Sequence, residues 1–166
     1  MIKICDEAGV MLSGIFPRRF NDSTHIFKQA LAAGRLGKVV LCDTAIKWWR
    51  TQEYYESGAW RGTWDLDGGG ALMNQSIHTI DLMLYLMGDV QSVSASGGLE
   101  AHSGIEVEDV AVAIIEFKSG VRGVIQASTA CYSNTGLPAS IHICGDQGSI
   151  RMVDDKFNIW DLKHTL

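Results

Sequence analysis

The fold is decided by residues 67–87, which read DGGGALMNQSIHTIDLMLYLM. The three glycines permit a sharp turn, because glycine adopts positive φ without steric cost. A long apolar segment follows them, and Gly88 stands where a helix C′ residue takes the left-handed αL conformation. The segment is too polar to span a membrane, so it predicts a helix buried in a globular core.

Four polar side chains of this predicted helix share one face: Asn74, His78, Asp81 and Tyr85. Asp81 is the only charged residue of the helix. A stripe of amide, imidazole, carboxylate and phenol on an otherwise apolar helix predicts a lined pocket. The alternative is a satisfied core network, in which His78 and Asp81 only hydrogen-bond their neighbours.

The composition excludes several classes of protein. The 166 residues, 46% of them hydrophobic, suffice for one well-buried domain. The net charge of −5, without any basic run, argues against nucleic acid as a partner. No apolar run has the length of a membrane span, and the first residues lack the apolar region of a signal peptide. We therefore expect a cytoplasmic protein with no membrane partner.

The cysteines and histidines do not predict a metal site. The four cysteines are scattered without a CxxC pair, as expected of reduced thiols: Cys5, Cys42, Cys131 and Cys144. His142 and Cys144 would share one face of a strand, and His102 lies shortly before Glu106. Neither spacing is that of a convincing metal site, so no metal is expected.

The chain after the central helix reads as β-structure. Six strands are expected, over residues 90–97, 108–117, 121–132, 139–144, 149–153 and 157–161. Their short connections predict antiparallel neighbours. A helix from Asn21 to Ala33, ended by Gly34, and a β-rich run over 38–49 precede the central helix. The predicted fold class is α+β, with an open-faced, predominantly antiparallel sheet and helices packed on one face.

The strand over residues 108–117 predicts self-association. Its middle, residues 110–115, is continuously apolar, which is more than burial on one face requires. A symmetric partner sheet would cover the second face, so we expect a homodimer or tetramer formed through the open face of the sheet.

The start of the chain reads as a piece of an α/β unit. Ile2–Ala8 predicts the end of a helix, Gly9 breaks it, and Val10–Phe16 predicts an apolar strand. No G-x-G-x-x-G motif is present, so the sequence lacks a dinucleotide-binding fingerprint.

Aromatic residues concentrate over positions 48–64, which hold four of the five tryptophans. Ring faces beside arginine and tyrosine donors suit sugar or nucleotide rings and their anionic groups. Arg50 and Tyr54 are therefore candidate substrate contacts. The alternative is an aromatic loop that only covers the core.

The motif GGGALMNQSIHTIDL resembles the signature helix of the glucose-fructose oxidoreductase, inositol dehydrogenase and MocA-like (Gfo/Idh/MocA) family of NAD(P)-dependent dehydrogenases. That family usually has Asp-x-x-x-His here, with the histidine as catalytic acid/base. This chain matches at His78 and has Asn74 where aspartate is commoner. The Asn-Gln-x-Ile-His sequence and the Trp-rich segment with Tyr54 and Tyr55 are similar to members of the UDP-N-acetylglucosaminuronate 3-dehydrogenase type. In those members the Trp-rich segment borders the substrate.

The resemblance implies that the chain consists of two parts. Residues 1–20 are similar to the last helix and strand of the family's Rossmann domain, and residues 21–166 to its α/β substrate-binding and dimerisation domain. Pro17–Phe20 matches the crossover Arg-Phe, with Arg19 as a cofactor-binding residue. The segment that carries the family's catalytic lysine is absent. The chain would then be an inactive piece of a longer dehydrogenase, with NAD or NADP bound by the full-length protein and no cofactor expected on this chain.

The implied function is oxidation of a hydroxyl on a sugar or nucleotide sugar, with hydride transfer to NAD(P)⁺. The site residues are His78, as general acid/base, and Asn74 for catalysis, and Arg50, Tyr54 and Asp81 for substrate binding. Asp81 or Asn74 would hold the orientation of the imidazole. One alternative is a non-catalytic sugar-binding or oligomerisation module. A metal- or thiol-dependent enzyme is a third interpretation, which the scattered cysteines and histidines disfavour.

Overall fold

The structure is a computed structural model that describes residues 1–163, and the last three residues of the second predicted part lie outside it. The helices are α1 (Ile2–Ala8), a 3-10 helix (Pro17–Phe20), α2 (Asp22–Ala32), α3 (Gln52–Glu56), a π-helix (Ala71–Ser76) and α4 (Ile77–Met87). The strands are β1 (Val39–Lys47), β2 (Val90–Gly98), β3 (Val110–Phe117), β4 (Arg122–Ser128), β5 (Ser140–Gly145), β6 (Gly148–Val153) and β7 (Lys156–Leu162). None of the helices in residues 1–163 combines the length and apolar character needed to cross a membrane.

The seven strands form one sheet in the order β2-β3-β4-β1-β5-β6-β7. Neighbouring strands are antiparallel except β1 and β4, which are parallel. The predicted class, a mostly antiparallel open sheet with helices, is confirmed. One detail of the prediction is wrong, because β1 separates β4 from β5. The connection over residues 129–139 is not a tight turn, so the chain can pass β1 there.

The helix α4 packs on the covered face of the sheet. Leu82 and Met83 of α4 are fully buried together with Phe27 of α2. Gly123 of β4 makes room for them, since a Cβ at this position would lie 2.8 Å from Cε of Met83. Complete burial of a side chain of this size stabilises the fold by about 1.5–3 kcal/mol. Packing of α4 on the sheet therefore supplies much of the core.

The opposite face of the sheet is open. Along β3, the buried Ala113 and Ile115 alternate with Val112 and Ile114, which are 50% and 63% exposed. Every second residue of the apolar run is therefore buried in the core. The residues between them point to the open face, which no element within residues 1–163 covers. The partner sheet that would cover them stays a prediction.

The first twenty residues differ from the expectation in one respect. The helix over Ile2–Ala8 is present, and Gly9 ends it with a φ of 63°. Val10–Phe16 is not a strand, and these residues are exposed except for the half-buried Phe16. The reason is that a strand forms only by pairing, and within the described residues no strand lies beside this segment. That residues 1–20 belong to a Rossmann domain stays a prediction.

The central helix is present but has two parts. Residues 71–76 form a π-helix, and the α-helical part begins only at Ile77. The carboxylate of Glu108 explains the start, because it accepts the backbone N–H groups of Gly70 (3.1 Å) and Leu72 (3.0 Å). At the other end, Gly88 has φ 84° and ψ −152°, so the predicted αL conformation is wrong although φ is positive.

Candidate functional site

A cleft of about 240 Å³ lies beside the start of α4, where α4 meets the 3-10 helix and the turn between β6 and β7. Its wall combines charged, amide, imidazole and indole groups: Arg18, Trp48, Gln75, His78, Thr79, Ala139, Asp154 and Asp155. Such a mixture of an apolar ring and a few convergent polar groups is typical of a small-molecule site.

His78 is the titratable group of this cleft that is free to react. It is exposed, its ring contacts the edge of Phe16 at a centroid distance of 6.5 Å, and within residues 1–163 no protein group hydrogen-bonds to its imidazole. The interpretation as a satisfied core network therefore does not describe His78. An exposed imidazole without a protein partner can exchange a proton with a bound molecule.

Arg18 is held rigidly at the wall of the cleft. Its guanidinium donates from Nε to Asp155 (2.8 Å) and from Nη1 to the hydroxyl of Thr79 (2.7 Å). Asp155 belongs to the β6–β7 turn, where it and Asp154 have positive φ values of 64° and 43°. This turn, which the aspartates indicate by their tolerance of positive φ, thereby supports the site.

Gln75 joins the cleft to the aromatic segment. Its Oε1 accepts from Nη2 of Arg50 (2.7 Å), and its Nε2 donates to the hydroxyl of Tyr54 (3.0 Å) and to Oδ1 of Asn74 (2.6 Å). Asn74 in turn donates to Asp67 at 2.5 Å. The structure thus brings three of the predicted site residues, Arg50, Tyr54 and Asn74, together around Gln75, which was not predicted as a site residue.

Asn74 does not orient His78 in this structure. Within residues 1–163 no hydrogen bond joins their side chains, because Asn74 lies in the π-helix and His78 in α4. The i→i+5 bonding of a π-helix changes the angular spacing, so four residues no longer bring two side chains into line. A catalytic role for Asn74 stays a prediction.

Arg50 and Tyr54 belong to a stack of alternating rings and guanidinium groups. Arg50 lies over Trp48 (5.3 Å) and Tyr54 (5.2 Å), and Arg61 lies over Tyr54 (4.2 Å) and Trp60 (4.4 Å). Each guanidinium has a buried Nε that bonds to no group among residues 1–163. Two cations held by aromatic faces, with donors to spare, form a suitable surface for an anionic ligand.

Asp81 and Arg19 bind each other. The guanidinium of Arg19 donates from Nε (2.8 Å) and Nη2 (2.5 Å) to the two carboxylate oxygens, and Asp81 is only 6% exposed. This hydrogen bonding raises the pKa of Arg19, whose guanidinium also lies 5.1 Å from the ring centre of Tyr85. Contact of Asp81 with substrate or of Arg19 with cofactor would have to compete with this pair, and both roles stay predictions.

Four residues of this region escaped the sequence analysis: Arg18, Arg61, Gln75 and Thr79. A signal existed for Gln75, which follows Asn74 in the motif, and for Arg61, which lies among the tryptophans. For Arg18 there was none, because the sequence does not reveal that Arg18 joins Thr79 of α4 to Asp155 of the β6–β7 turn, whereas Arg19 binds Asp81.

The other histidines and thiols lie away from the cleft. Among residues 1–163 no three His, Cys, Asp or Glu side chains are grouped closely enough to hold a metal ion. His142 and Cys144 share the open face as their spacing predicts, with Nε2 and Sγ 3.3 Å apart. All four cysteines are free, and burial raises the pKa of the Cys42 thiol.

Comparison with known proteins points to one family. Residues 25–151 match the GFO/IDH/MocA C-terminal domain. The chain is similar to the WlbA dehydrogenase of Bordetella pertussis, solved with NADH and UDP-GlcNAcA, at 36% identity and a TM-score of 0.92, covering 99% of this chain and 50% of that one. It is similar to the WlbA dehydrogenase of Chromobacterium violaceum, solved with the same two molecules, at 33% identity and a TM-score of 0.90, covering 99% and 48%.

A curated relative of another specificity also matches. The scyllo-inositol 2-dehydrogenase (NAD(+)) of Bacillus subtilis (strain 168) is 30% identical over 148 residues, which are 87% of this chain and 40% of that enzyme. This chain therefore spans half or less of the length of these relatives. It belongs to the GFO/IDH/MocA family of oxidoreductases, in which it corresponds to the C-terminal domain.

Proposed function

We propose that this domain is the substrate-binding half of an NAD(P)-dependent dehydrogenase that oxidises a hydroxyl group of a nucleotide sugar, with His78 as the general acid/base. The observation that carries the proposal is the exposed imidazole of His78, which lacks a protein partner within residues 1–163 and stands in a cleft with Arg18 and Gln75. The similarity to two dehydrogenases solved with NADH and a UDP-sugar acid supports it.

The chain's own residues would move the proton and hold the substrate. His78 would accept the proton of the sugar hydroxyl as the C–H bond is broken, which is the contribution expected of a positioned base. A bound nicotinamide cofactor supplies the hydride acceptor. Residues 1–163 contain no glycine-rich dinucleotide motif, so they offer no cradle for its pyrophosphate. Cofactor binding is thus assigned to the whole enzyme and not to this chain.

The stack over residues 48–61 favours a nucleotide sugar over a plain polyol. A UDP-sugar acid carries a diphosphate and a carboxylate, and the stack presents two partly exposed cations, Arg50 and Arg61. The rings of Trp48, Tyr54 and Trp60 keep these guanidinium groups in place. Guanidinium groups bind phosphate and carboxylate through paired hydrogen bonds, whereas an inositol has no charge for them to neutralise.

The open sheet face is assigned to self-association, as a homodimer or tetramer. Val112 and Ile114 are half or more exposed there, next to the partly buried Val124 of β4. An exposed apolar patch of this kind on a sheet typically marks a protein interface.

The test of the function is an assay of the whole enzyme with NAD⁺ and NADP⁺ and two substrates, UDP-GlcNAcA and scyllo-inositol, followed by absorbance of the reduced cofactor. We expect reduction with the UDP-sugar acid and little with the inositol. Faster oxidation of the inositol would contradict the substrate class. A whole enzyme that binds the UDP-sugar and never reduces either cofactor would instead support the non-catalytic binding module.

A further inference from the structure

A second histidine, outside the cleft, is fully engaged. The side chains of His102 and Asp109 are 2% and 0% exposed, and Nδ1 of His102 lies 2.8 Å from Oδ2 of Asp109. The other ring nitrogen, Nε2, lies 2.8 Å from the backbone carbonyl oxygen of Arg50. The imidazole therefore bridges a buried carboxylate and the backbone of a residue of the proposed site.

The partners of His102 hold its ring in one orientation. A carbonyl oxygen only accepts, so Nε2 carries a proton and donates to the carbonyl of Arg50. On the other side, Asp109 accepts the backbone N–H groups of Glu100 (2.8 Å), Ala101 (2.9 Å) and His102 (3.0 Å). Burial raises the pKa of Asp109, but these bonds together with the imidazole outweigh it and hold the pKa below its ordinary value. Nδ1 of His102 thus lies against a carboxylate that is itself anchored to the backbone.

Asp109 reaches Arg50 by a second route through the backbone. The carbonyl of Asp109 accepts from the N–H of Thr129 at 2.8 Å, and the carbonyl of Thr129 accepts from the N–H of Arg50 at 2.8 Å. The hydroxyl of Tyr55 bonds to that of Thr129 at 2.8 Å, and the Tyr55 ring packs on His102 at a centroid distance of 4.7 Å. The backbone of Arg50, which lies after the end of β1, is held on both sides.

We infer that His102 is a positioning residue, whose imidazole, anchored by Asp109, fixes the backbone of Arg50 so that its guanidinium meets Gln75 at the edge of the cleft. This rests on the proposed function, because Arg50 and Gln75 act on a substrate only if the cleft is the active site. We call His102, Asp109 and the carbonyl of Arg50 the clamp. No hydrogen bond within residues 1–163 links the clamp to His78. The clamp therefore acts on substrate binding and not on proton transfer.

The bridge is tested on the unmodified chain by ¹⁵N NMR of its histidine rings. The expected spectrum shows a proton on Nε2 of His102 that exchanges slowly with solvent, because it is buried and donated to the carbonyl of Arg50, whereas ring protons of the exposed His25 exchange fast. A His102 ring without a protected proton on Nε2 would overturn the clamp. This measurement does not depend on any enzymatic activity, so its outcome is separate from that of the proposed function.

The positioning role is tested by kinetics of the whole enzyme with UDP-GlcNAcA. His102→Gln has one amide nitrogen in place of two ring nitrogens that face opposite partners, so it cannot bridge Asp109 and Arg50. We therefore expect KM to rise about tenfold or more, which corresponds to one lost hydrogen-bonded contact, while kcat changes little. Arg50→Ala is expected to raise KM similarly, and the double variant no further, because the two residues act through one contact. The control His25→Gln is expected to leave both constants unchanged.

Two outcomes would overturn the positioning role. Effects of His102→Gln and Arg50→Ala that multiply in the double variant would mean that His102 acts independently of Arg50. A fall of kcat with unchanged KM would place its effect on chemistry instead of binding. If His102→Gln folds poorly, Asp109→Asn replaces it in the same cycle, since it removes the anchor and keeps the shape.

Discussion

The cleft around His78 and the clamp around His102 both place an imidazole next to the network of Arg50 and Gln75, but they are built in opposite ways. His78 is exposed and has no protein partner within residues 1–163, whereas His102 is buried and both of its ring nitrogens are bonded. A free imidazole contributes little to folding and is available for chemistry. A fully bonded one contributes to the position of its neighbours and is unavailable to a substrate.

A third histidine, His142, lies between these extremes. Its Nδ1 is 3.8 Å from Asp43, and the two side chains are 25% and 32% exposed on the open sheet face. The pair is less buried than His102 and Asp109, and 3.8 Å is too long for a hydrogen bond. In the monomeric chain it therefore serves as a reference for what burial and hydrogen bonding together add to a histidine–carboxylate pair.

The largest expected effect is that of His78→Asn on turnover. If His78 is the general acid/base, turnover of the whole enzyme falls by about 10²–10⁴-fold, because the titrating group is lost. The melting temperature is expected to change little, because within residues 1–163 the imidazole makes no hydrogen bond that the fold would lose. Rate and thermal unfolding are measured on one preparation, with His25→Asn as the control. An unstable but fully active variant would refute the catalytic role.

The next largest effect is expected for the carboxylate of the clamp. Asp109→Ala leaves Nδ1 of His102 and three buried backbone N–H groups without their acceptor, which costs about 3 kcal/mol or more of the free energy of unfolding. The matched change Asp43→Ala at the partly exposed pair is expected to cost about 0–1 kcal/mol. Both are read from denaturant unfolding of this chain. Equal costs would mean that burial of the His102 pair does not distinguish it from the pair on the open face.

The sequence predicted the helices and strands well, but it predicted poorly which residues contact each other across the fold. Residues 110–115 and the helix through Met87 were found because periodicity and turn residues are local signals. The π-helix was not predicted, and the carboxylate that binds its first N–H groups, Glu108, is far away in the chain. Similarly, the strand expected at Val10–Phe16 does not form because no strand lies beside it in the described chain. A local sequence pattern does not reveal whether a pairing strand is present.

The same limit applies to the site. His78 stood out in the sequence as an isolated imidazole on an apolar helix, and the cleft there agrees with that expectation. His102 did not stand out, because its partners Asp109 and the carbonyl of Arg50 come from separate segments. The sequence relates His102 only to Glu106, at a spacing that suggests a weak metal motif. In the structure Glu106 accepts the backbone N–H of Trp64 instead.

The pair of His142 and Asp43 lies on the sheet face that is assigned to self-association. That assignment gives a third prediction. Ile114→Asp would bury an unpaired charge in the interface, at a cost of several kcal/mol, about enough to shift a dimer to monomer at micromolar concentration. Light scattering of dilute protein measures the mass. Ile26→Asp is the control, since Ile26 is 46% exposed on α2, away from the open face. A parent chain that is already monomeric would remove the basis for this interface.

The smallest and most specific effect concerns acid unfolding. The pKa of Asp109 in the folded chain lies below its ordinary value of 3.8, owing mainly to backbone N–H groups and the His102 imidazole, which outweigh the effect of burial. A carboxylate whose pKa is depressed by folding stabilises the fold fully above its ordinary pKa, and this contribution is lost as the pH falls toward and through the folded value. The free energy of unfolding should therefore fall more steeply with decreasing pH below 3.8 in the parent chain than in Asp109→Asn. Urea unfolding between about pH 5 and pH 2 measures both slopes. Identical slopes for the parent and Asp109→Asn would show that Asp109 gains no net favourable contact in its charged form, and Asp109 would then not be the anchor of His102.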